Sequence, residues 1–110
     1  MIELAYDIGY RKSYNFKPNA SCSIYGKFEL IEKQDRYEIW ALGIFGAYRG
    51  RGYGTQMLTE FLRQFDNSKP LFLYVLKTNE VALRLYKNAG FDIVGNTSGD
   101  IFMMQYMNCV

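Results

Sequence analysis

The chain turns at a glycine-rich stretch, Arg49-Gly50-Arg51-Gly52-Tyr53-Gly54. An unbroken apolar run over residues 39–45 leads into this stretch, as expected of a buried strand. The apolar residues that follow fall on one face of a helix: Met57, Leu58, Phe61, Leu62 and Phe65. The sequence therefore predicts a strand, a tight turn and a helix in that order.

This turn has the chemistry of an anion site. Glycines let the backbone turn tightly and bring its N–H groups close to a ligand. The first turn of the following helix adds N–H groups without internal partners and the positive end of the helix dipole. Arg49 and Arg51 add charged, fork-shaped donors. We therefore predict that the turn binds phosphate or another anion.

The composition fits one globular domain over residues 1–110. Of these residues 49% are hydrophobic and 22% are charged. The net charge of +2 gives no electrostatic reason to expect nucleic acid as a partner. No apolar stretch approaches the roughly 20 residues of a membrane span, and the N-terminus does not resemble a signal peptide. We expect no membrane association.

Cysteine and histidine usage narrows the chemistry further. Cys22 and Cys109 stand far apart in the sequence, and a disulfide between them stays open. Nothing resembles a disulfide framework, which favours a reducing cytoplasm. The chain has no histidine, which argues against a zinc site and against serine–histidine or cysteine–histidine triads. We predict no metal site.

Hydrophobic alternation predicts the elements of the first half. It indicates strands over 2–8, 22–30 and 37–45, with the last two joined as an antiparallel hairpin. The polar and aromatic segment over 10–19 is predicted to be irregular. Beyond Ile39 the third strand is apolar on both faces, so we expect it to be central and covered on both sides.

The second half is predicted to alternate between helix and strand. A helix from about residue 53 to 66 precedes an apolar strand over 71–76, which makes a right-handed βαβ crossover. A second helix over 79–89 is capped by Thr78 or Asn79 and stopped by Gly90. Residues 91–94 and 101–107 form a closing hairpin. The fold class is α/β, a mixed central sheet of about six or seven strands with two main helices.

The glycine-rich stretch and a second motif resemble the GNAT superfamily of N-acetyltransferases. The family's acetyl-coenzyme A signature is Arg or Gln, two residues, Gly, one residue, then Gly or Ala, which residues 49–54 satisfy. The second motif appears as Asn79, Ala82, Tyr86 and Gly90-Phe91. The resemblance covers roughly Tyr37 to the C-terminus, and each motif lies on the expected element.

The resemblance implies a site for acetyl-coenzyme A. The strands ending at Ile44 and Leu76 would splay apart, and the pantetheine arm would pair with the exposed backbone of the first strand. The pyrophosphate would lie on the N–H groups of residues 50–55. The implied cofactor-binding residues are Leu42, Gly43, Ile44, Arg49, Gly50, Arg51, Gly52, Tyr53, Gly54, Thr55, Asn79 and Tyr86.

The resemblance also implies catalytic roles. Tyr86 would give a proton to the departing thiolate, and Glu38 would accept the proton of the amine, as a glutamate does in the histone-acetyltransferase branch. Alternation along the strand puts Glu38 on one face with Trp40, Leu42 and Ile44. The simpler interpretations make Glu38 an exposed strand residue and Tyr86 a core aromatic. A glutamate that many bacterial members carry on the next strand is replaced here by Tyr74.

The N-terminal half departs from the family. Only 48 residues precede Arg49, too few for the pair of helices that normally walls the acceptor site. Either the site is open to a protein or peptide, or a second subunit completes it in a homodimer. The leading hypothesis is acetyl transfer from acetyl-coenzyme A to a primary amine on a protein or small molecule, directly within a ternary complex. The alternative is a non-catalytic module that binds an acyl-coenzyme A.

Overall fold

A computed structural model describes residues 1–20, 22–66 and 68–107. Its elements follow the chain as strands, a short 3₁₀ turn at Gly46–Tyr48 and two α-helices. The strands are β1 (Ile2–Asp7), β2 (Arg11–Phe16), β3 (Gly26–Glu32), β4 (Tyr37–Ile44), β5 (Leu71–Leu76), β6 (Phe91–Ser98) and β7 (Ile101–Tyr106). The helices are α1 (Tyr53–Gln64) and α2 (Glu80–Ala89).

The strands form one mixed sheet in the order β1-β2-β3-β4-β5-β7-β6. Only β4 and β5 run parallel, and α1 connects them as the predicted crossover. All other neighbours are antiparallel. The predicted fold class, a mixed sheet of six or seven strands with two main helices, is confirmed, and the sheet has seven strands.

Two predicted segments of the sheet were wrong. The supposedly irregular segment contains β2, which pairs with β3 without interruption from Arg11↔Ile31 to Phe16↔Gly26. Its polar residues have a weak intrinsic preference for strands, so the sequence did not predict β2. Pairing with a neighbouring strand outweighs that preference. In the closing hairpin β6 extends to Ser98 instead of ending at Val94, with two register shifts along its length.

The core lies on one face of the sheet, which we call the helix face. Strand residues whose side chains lie on this face are neighbours on adjacent strands, as in the pairs Leu30↔Ile39 and Ile39↔Leu73. Both helices pack here, since α1 and α2 contact each other and contribute buried residues to the same cluster. The core cluster is Phe16, Phe28, Leu30, Ile39, Met57, Leu58, Phe61, Leu71, Leu73, Val75, Tyr86, Phe91 and Met104.

The opposite face, which we call the open face, has no helix on it among the described residues. Trp40 on β4 is 44% exposed and Leu76 on β5 is 53% exposed. The expectation that β4 is covered on both sides is therefore wrong. The apolar run predicted two layers, but both helices pack on the helix face.

A β-bulge changes the direction of side chains along β4. Between the pairs Glu29↔Trp40 and Lys27↔Gly43, β4 contains one residue more than β3. Ala41 lies within the bulge at a φ of 55°. The bulge reverses the alternation, so Ile44 lies on the helix face while Trp40 stays on the open face. The prediction that Leu42 and Ile44 share the face of Glu38 is wrong for this reason, since both lie beyond the bulge, while Trp40 does share that face.

Two other features bear on the expectations from the sequence. Cys22 is half-buried, and Cys109, with which a disulfide stayed open, lies outside the described residues. Neither α1 nor α2 is long and apolar enough to span a lipid bilayer, and they are the α-helices of the described chain.

Candidate functional site

The site begins where β4 and β5 separate. Their parallel pairing runs from Tyr37↔Leu71 to Ile39↔Leu73 and ends there, although both strands continue. The opposite edge of β4 stays paired with β3 as far as Ile44↔Gly26. Past Ile39 the edge of β4 that faces β5 therefore has no neighbouring strand, although Arg49 Nε donates to the carbonyl oxygen of Ile44 there. The backbone groups on such an edge need a partner, and an extended ligand can supply one.

A cavity of about 600 Å³, which we call the loop cavity, opens from this gap between the glycine-rich loop and α2. Every predicted cofactor-binding residue lines it except the exposed Arg51. These lining residues are Leu42, Gly43, Ile44, Arg49, Gly50, Gly52, Tyr53, Gly54, Thr55, Asn79 and Tyr86. Ala82 of the second motif also lines the cavity, together with residues that the motifs did not indicate: Tyr48, Val81, Arg84, Leu85 and Asn88.

The N-terminus of α1 has the features of an anion site. Gly52 caps the helix with a φ of 82°, no side chain caps it, and its first turn contains no acidic residue. The bond from Gln56 N–H to Gly52 O is the first of the helix, so the N–H groups of residues 53–55 have no helical acceptor. A Cβ atom built on Gly50 or on Gly52 meets no atom within 4 Å. The geometry therefore leaves room for a phosphate group against these donors.

Arg49 holds the loop in place. Its Nε donates a hydrogen bond of 2.9 Å to the carbonyl oxygen of Ile44, the last residue of β4. This bond ties the start of the glycine-rich loop to the strand that borders the gap. Arg49 also lines the loop cavity, and a guanidinium group has further N–H donors besides the one at Nε.

Asn79 and Tyr86 approach the loop cavity from α2. The Asn79 side chain accepts a hydrogen bond of 3.1 Å from the Ala82 N–H, so it is the helix cap. Tyr86 is buried and packs edge-to-face with Phe91, at 6.2 Å between ring centroids. Burial raises the pKa of the Tyr86 hydroxyl, which therefore stays protonated at neutral pH. Tyr86 is a core aromatic that also lines the cavity.

Glu38 lies on the other side of the sheet and is almost completely buried, at 1% exposure. Trp40 Nε1 and the Tyr74 hydroxyl each donate a hydrogen bond of 2.8 Å to its carboxylate. Lys33 Nζ lies 3.3 Å and Arg36 Nη1 3.9 Å from its oxygens. The interpretation of Glu38 as an exposed strand residue is therefore wrong, since side chains from two strands and a turn enclose it.

The environment of Glu38 keeps it ionised. Burial acts to raise the pKa of its carboxyl group, but hydrogen bonds from Trp40, Tyr74 and Lys33 outweigh burial and lower that pKa below its ordinary value. At neutral pH the group is a carboxylate with donors on both oxygens. It can accept a proton or hold a cation.

Glu38 borders a second cavity of about 430 Å³, which we call the open-face cavity. Its lining is Lys33, Glu38, Trp40, Tyr74, Val75, Leu76, Thr97 and Ile101. Glu38 and Tyr86 therefore border different cavities on opposite faces of the sheet, on either side of the gap between β4 and β5.

The sequence placed Trp40 on the face of Glu38, and the structure agrees, but it did not indicate their hydrogen bond. Sequence reasoning missed Tyr74, because its approach depends on the pairing Glu38↔Phe72, and parallel register is set by tertiary contacts.

Sequence comparison relates this chain to acetyltransferases. Residues 10–91 match the Acetyltransferase (GNAT) family. The N-alpha-acetyltransferase RimI of Mycobacterium tuberculosis is 41% identical over 59 residues, which are 54% of this chain and 37% of that protein. N-alpha-acetyltransferase 50 of Danio rerio is 36% identical over 69 residues, covering 57% of this chain and 39% of that protein. The chain thus matches less than two fifths of the length of these relatives.

Solved structures show the same fold. A spermidine N-acetyltransferase from Vibrio cholerae in complex with CoA and spermine has a TM-score of 0.73 at 21% identity, over 87% of this chain and 64% of that one. The PaiA N-acetyltransferase from Thermoplasma acidophilum in complex with coenzyme A has a TM-score of 0.70 at 23% identity, over 86% and 59%.

The family match spans most of the chain, and it includes the strand, loop and helix that form the loop cavity. The separated strands and the open helix N-terminus agree with that match. The chain belongs to the GNAT family of acetyltransferases.

Proposed function

We propose that the protein is an N-acetyltransferase that moves an acetyl group from acetyl-coenzyme A to a primary amine, directly within a ternary complex. The observation that carries this proposal is the gap between β4 and β5. It has an anion-binding helix terminus on one side and a buried carboxylate on the other. The relatives named N-acetyltransferases support it, as do the similar structures that contain coenzyme A.

In this proposal the loop cavity receives acetyl-coenzyme A. The free N–H groups of residues 53–55, with the backbone of Gly50 and Gly52, bind the pyrophosphate, and Arg49 and Arg51 add positive charge. The backbone of residues 42–44 pairs with the pantetheine arm in place of a strand. Asn79 keeps its amide donors for the arm, because its oxygen already caps α2.

The acceptor amine would approach from the open-face cavity. Its nitrogen must be neutral to attack the thioester carbonyl, and Glu38 accepts the proton directly or through water. The new C–N bond forms, the backbone N–H groups near residues 42–44 stabilise the oxyanion, and the C–S bond then breaks. Tyr86, protonated at neutral pH, gives its proton to the departing thiolate.

The direct test measures free thiol released from acetyl-coenzyme A with a panel of primary amines. We expect turnover with at least one amine, and Tyr86→Phe should lower turnover by about tenfold or more while leaving acetyl-coenzyme A affinity nearly unchanged. Tyr37→Phe is the control, since Tyr37 lies at the other end of β4 and lines neither cavity. An unchanged rate in Tyr86→Phe would remove Tyr86 from the mechanism.

A non-catalytic role is the second candidate, and the uncovered open face favours it. A chain that binds acyl-coenzyme A but lacks a complete acceptor site would act as a sensor or interaction module. Calorimetry showing acetyl-coenzyme A binding, with no acetylated product from amines or lysate proteins, would select this candidate. Sedimentation during the same experiments would show whether a homodimer completes the open face. The reducing environment that two isolated cysteines favour leads us to place either activity in the cytoplasm.

A further inference from the structure

Lys33 places a primary ammonium group in the open-face cavity. Its Nζ lies 3.3 Å from Glu38 Oε1, and its side chain is 53% exposed. The carboxylate that it contacts is only 2% exposed. One half of this ion pair is therefore fixed in the sheet, and the other half reaches in from solvent.

The backbone that carries Lys33 is held independently of this contact. The Lys33 N–H donates to the Arg36 carbonyl at 2.8 Å, which closes the turn between β3 and β4. Lys69 Nζ donates to the Lys33 carbonyl at 3.0 Å and to Glu32 at 2.7 Å. The Lys33 side chain can therefore leave the cavity while the turn stays in place.

The carboxylate cannot leave in the same way. Glu38 is enclosed by Trp40 and Tyr74, whose rings are 5.3 Å apart, and it needs a positive partner because an unpaired buried charge is costly. A neutral group that displaced Lys33 would leave Glu38 with Arg36 alone, 3.9 Å away. An ammonium group would restore the charge balance, and the aromatic rings favour a cation.

The rest of the lining suits an unbranched stem behind that ammonium group. Leu76 and Ile101 provide apolar surface and Thr97 a polar edge, and Lys33 itself enters the cavity on four methylene groups. The cavity already holds the terminal group of one lysine side chain.

We propose that Lys33 is a tethered occupant of the acceptor site, and that the acceptor which displaces it is a primary alkylammonium with an unbranched stem, of the lysine side-chain type. This inference rests on the proposed function for the role of the open-face cavity. The Lys33 ammonium competes with the acceptor, and the bound acceptor takes its place on Glu38.

Trp40 allows a test without acetyl-coenzyme A. It is the only tryptophan of the sequence and donates its indole N–H to Glu38, so its fluorescence reports on this carboxylate. The probes are n-butylammonium, tert-butylammonium with the same charge but a branched body, and neutral n-butanol. We expect a saturable change in Trp40 fluorescence with n-butylammonium, and much weaker binding of tert-butylammonium and n-butanol.

The variants test the competition. Lys33→Met should tighten n-butylammonium binding about two- to fivefold, the range expected when an exposed ion pair no longer competes. Glu38→Gln should lower the affinity for n-butylammonium to that for n-butanol. Lys87→Met is the matched control, because it removes the same charge from the exposed surface of α2, outside both cavities.

Equal binding of n-butylammonium by the Lys33→Met and unaltered proteins would overturn the proposal, as would equal binding of n-butanol and n-butylammonium. Both results are independent of acetyl transfer. If thiol is released but Trp40 fluorescence does not respond to n-butylammonium, the proposal for Lys33 is refuted and the proposed activity stands. If n-butylammonium binds but no thiol is released with any amine, the proposed activity is refuted instead.

Discussion

The two faces of this sheet present different kinds of site. On the helix face, the glycine-rich loop and the N-terminus of α1 supply backbone N–H donors to the loop cavity, and α2 lines its other side. On the open face, side chains from β4, β5 and the turn after β3 converge on one buried carboxylate. The anion donors of the first site are local in sequence, whereas the partners of the carboxylate in the second are brought together by the fold.

This difference predicts that the two faces have separate functions, with the carrier bound on one and the acceptor on the other. A loop of backbone donors binds an anion whatever the identity of many of its side chains, which suits a carrier common to a whole family. A carboxylate enclosed by two aromatic rings and a lysine depends on those particular side chains, which suits an acceptor that differs between members. If this separation of functions is correct, changes on one face should alter one binding step and leave the other almost unaffected.

The largest expected effect is on the open face. Glu38→Gln keeps the size of the side chain but removes the charge and the basicity, so turnover should fall about 100-fold if Glu38 accepts the amine proton. Acetyl-coenzyme A affinity, measured by calorimetry, should change little because Glu38 does not line the loop cavity.

The control for that variant is Glu29→Gln. Glu29 is a carboxylate of the same face that pairs with Arg11 and lies outside the open-face cavity. Its turnover should stay close to that of the unaltered protein. A loss of acetyl-coenzyme A affinity in Glu38→Gln would break the proposed separation between the faces.

On the helix face the corresponding change is Gly52→Ala. The new Cβ enters the open space beside the free N–H groups of α1, so acetyl-coenzyme A affinity should fall at least about tenfold, or about 1.4 kcal/mol. Fluorescence titration of Trp40 with an amine should show unaltered acceptor binding.

Gly9→Ala separates backbone strain from the loss of the site. Gly9 has a φ of 88° and open space around its Cβ position, as Gly52 does, but it lies between β1 and β2. Both variants should lose about 1–2 kcal/mol of stability from the left-handed backbone. Only Gly52→Ala should lose affinity; an equal loss in both would attribute the effect to the backbone.

The same contrast explains what the sequence could predict. The strand, the glycine-rich turn, the cap at Asn79 and the stop at Gly90 depend on neighbouring residues, and the structure has each of them as predicted. Each motif is local in sequence and could be recognised by itself, and the packing of α1 against α2 then brings the two motifs to the loop cavity.

The direction of the side chains at the end of β4 and the contact of Glu38 with Tyr74 could not be predicted, because both depend on register. The bulge at Ala41 reverses the alternation of β4, and no residue type nearby indicates it, since alanine rarely adopts a φ of 55°. The burial of Glu38 depends on Tyr74, which a parallel pairing with β5 brings from 36 residues away. The pattern of residues along one strand indicates neither the bulge nor the contact with Tyr74.

A smaller effect compares the two helix ends at the loop cavity. The N-terminus of α2 is capped by Asn79, whereas α1 has no side-chain cap. Asn79→Ala should lower the free energy of unfolding by about 1 kcal/mol, measured by urea denaturation. Asn88→Ala, on the same helix and also lining the cavity, is the control and should show no such loss.

The smallest expected effect is the response of each face to pH. The folded-state pKa of Glu38 is lowered below its ordinary value of 4.5, because hydrogen bonds from Trp40, Tyr74 and Lys33 outweigh the opposing effect of burial. This group therefore contributes stability above pH 4.5, and the contribution is lost as the pH falls through the lowered pKa. Burial raises the pKa of Tyr86 above 10.0, so its contribution is complete below pH 10.0 and lost as the pH rises through the raised value.

Urea denaturation across the pH range would separate these two groups. Below pH 4.5 the stability of Glu38→Gln should fall less steeply than that of the unaltered protein, although Glu29 and Glu32, whose pKa values Arg11 and Lys69 lower, keep part of the slope. As the pH rises above 10.0, the stability of Tyr86→Phe should likewise fall less steeply than that of the unaltered protein. Between these limits both groups keep the protonation states that the proposed mechanism requires. The pH dependence of turnover near neutrality should then follow the pKa of the acceptor amine, and a turnover profile independent of the amine would contradict the assignment of Glu38 and Tyr86 as base and acid.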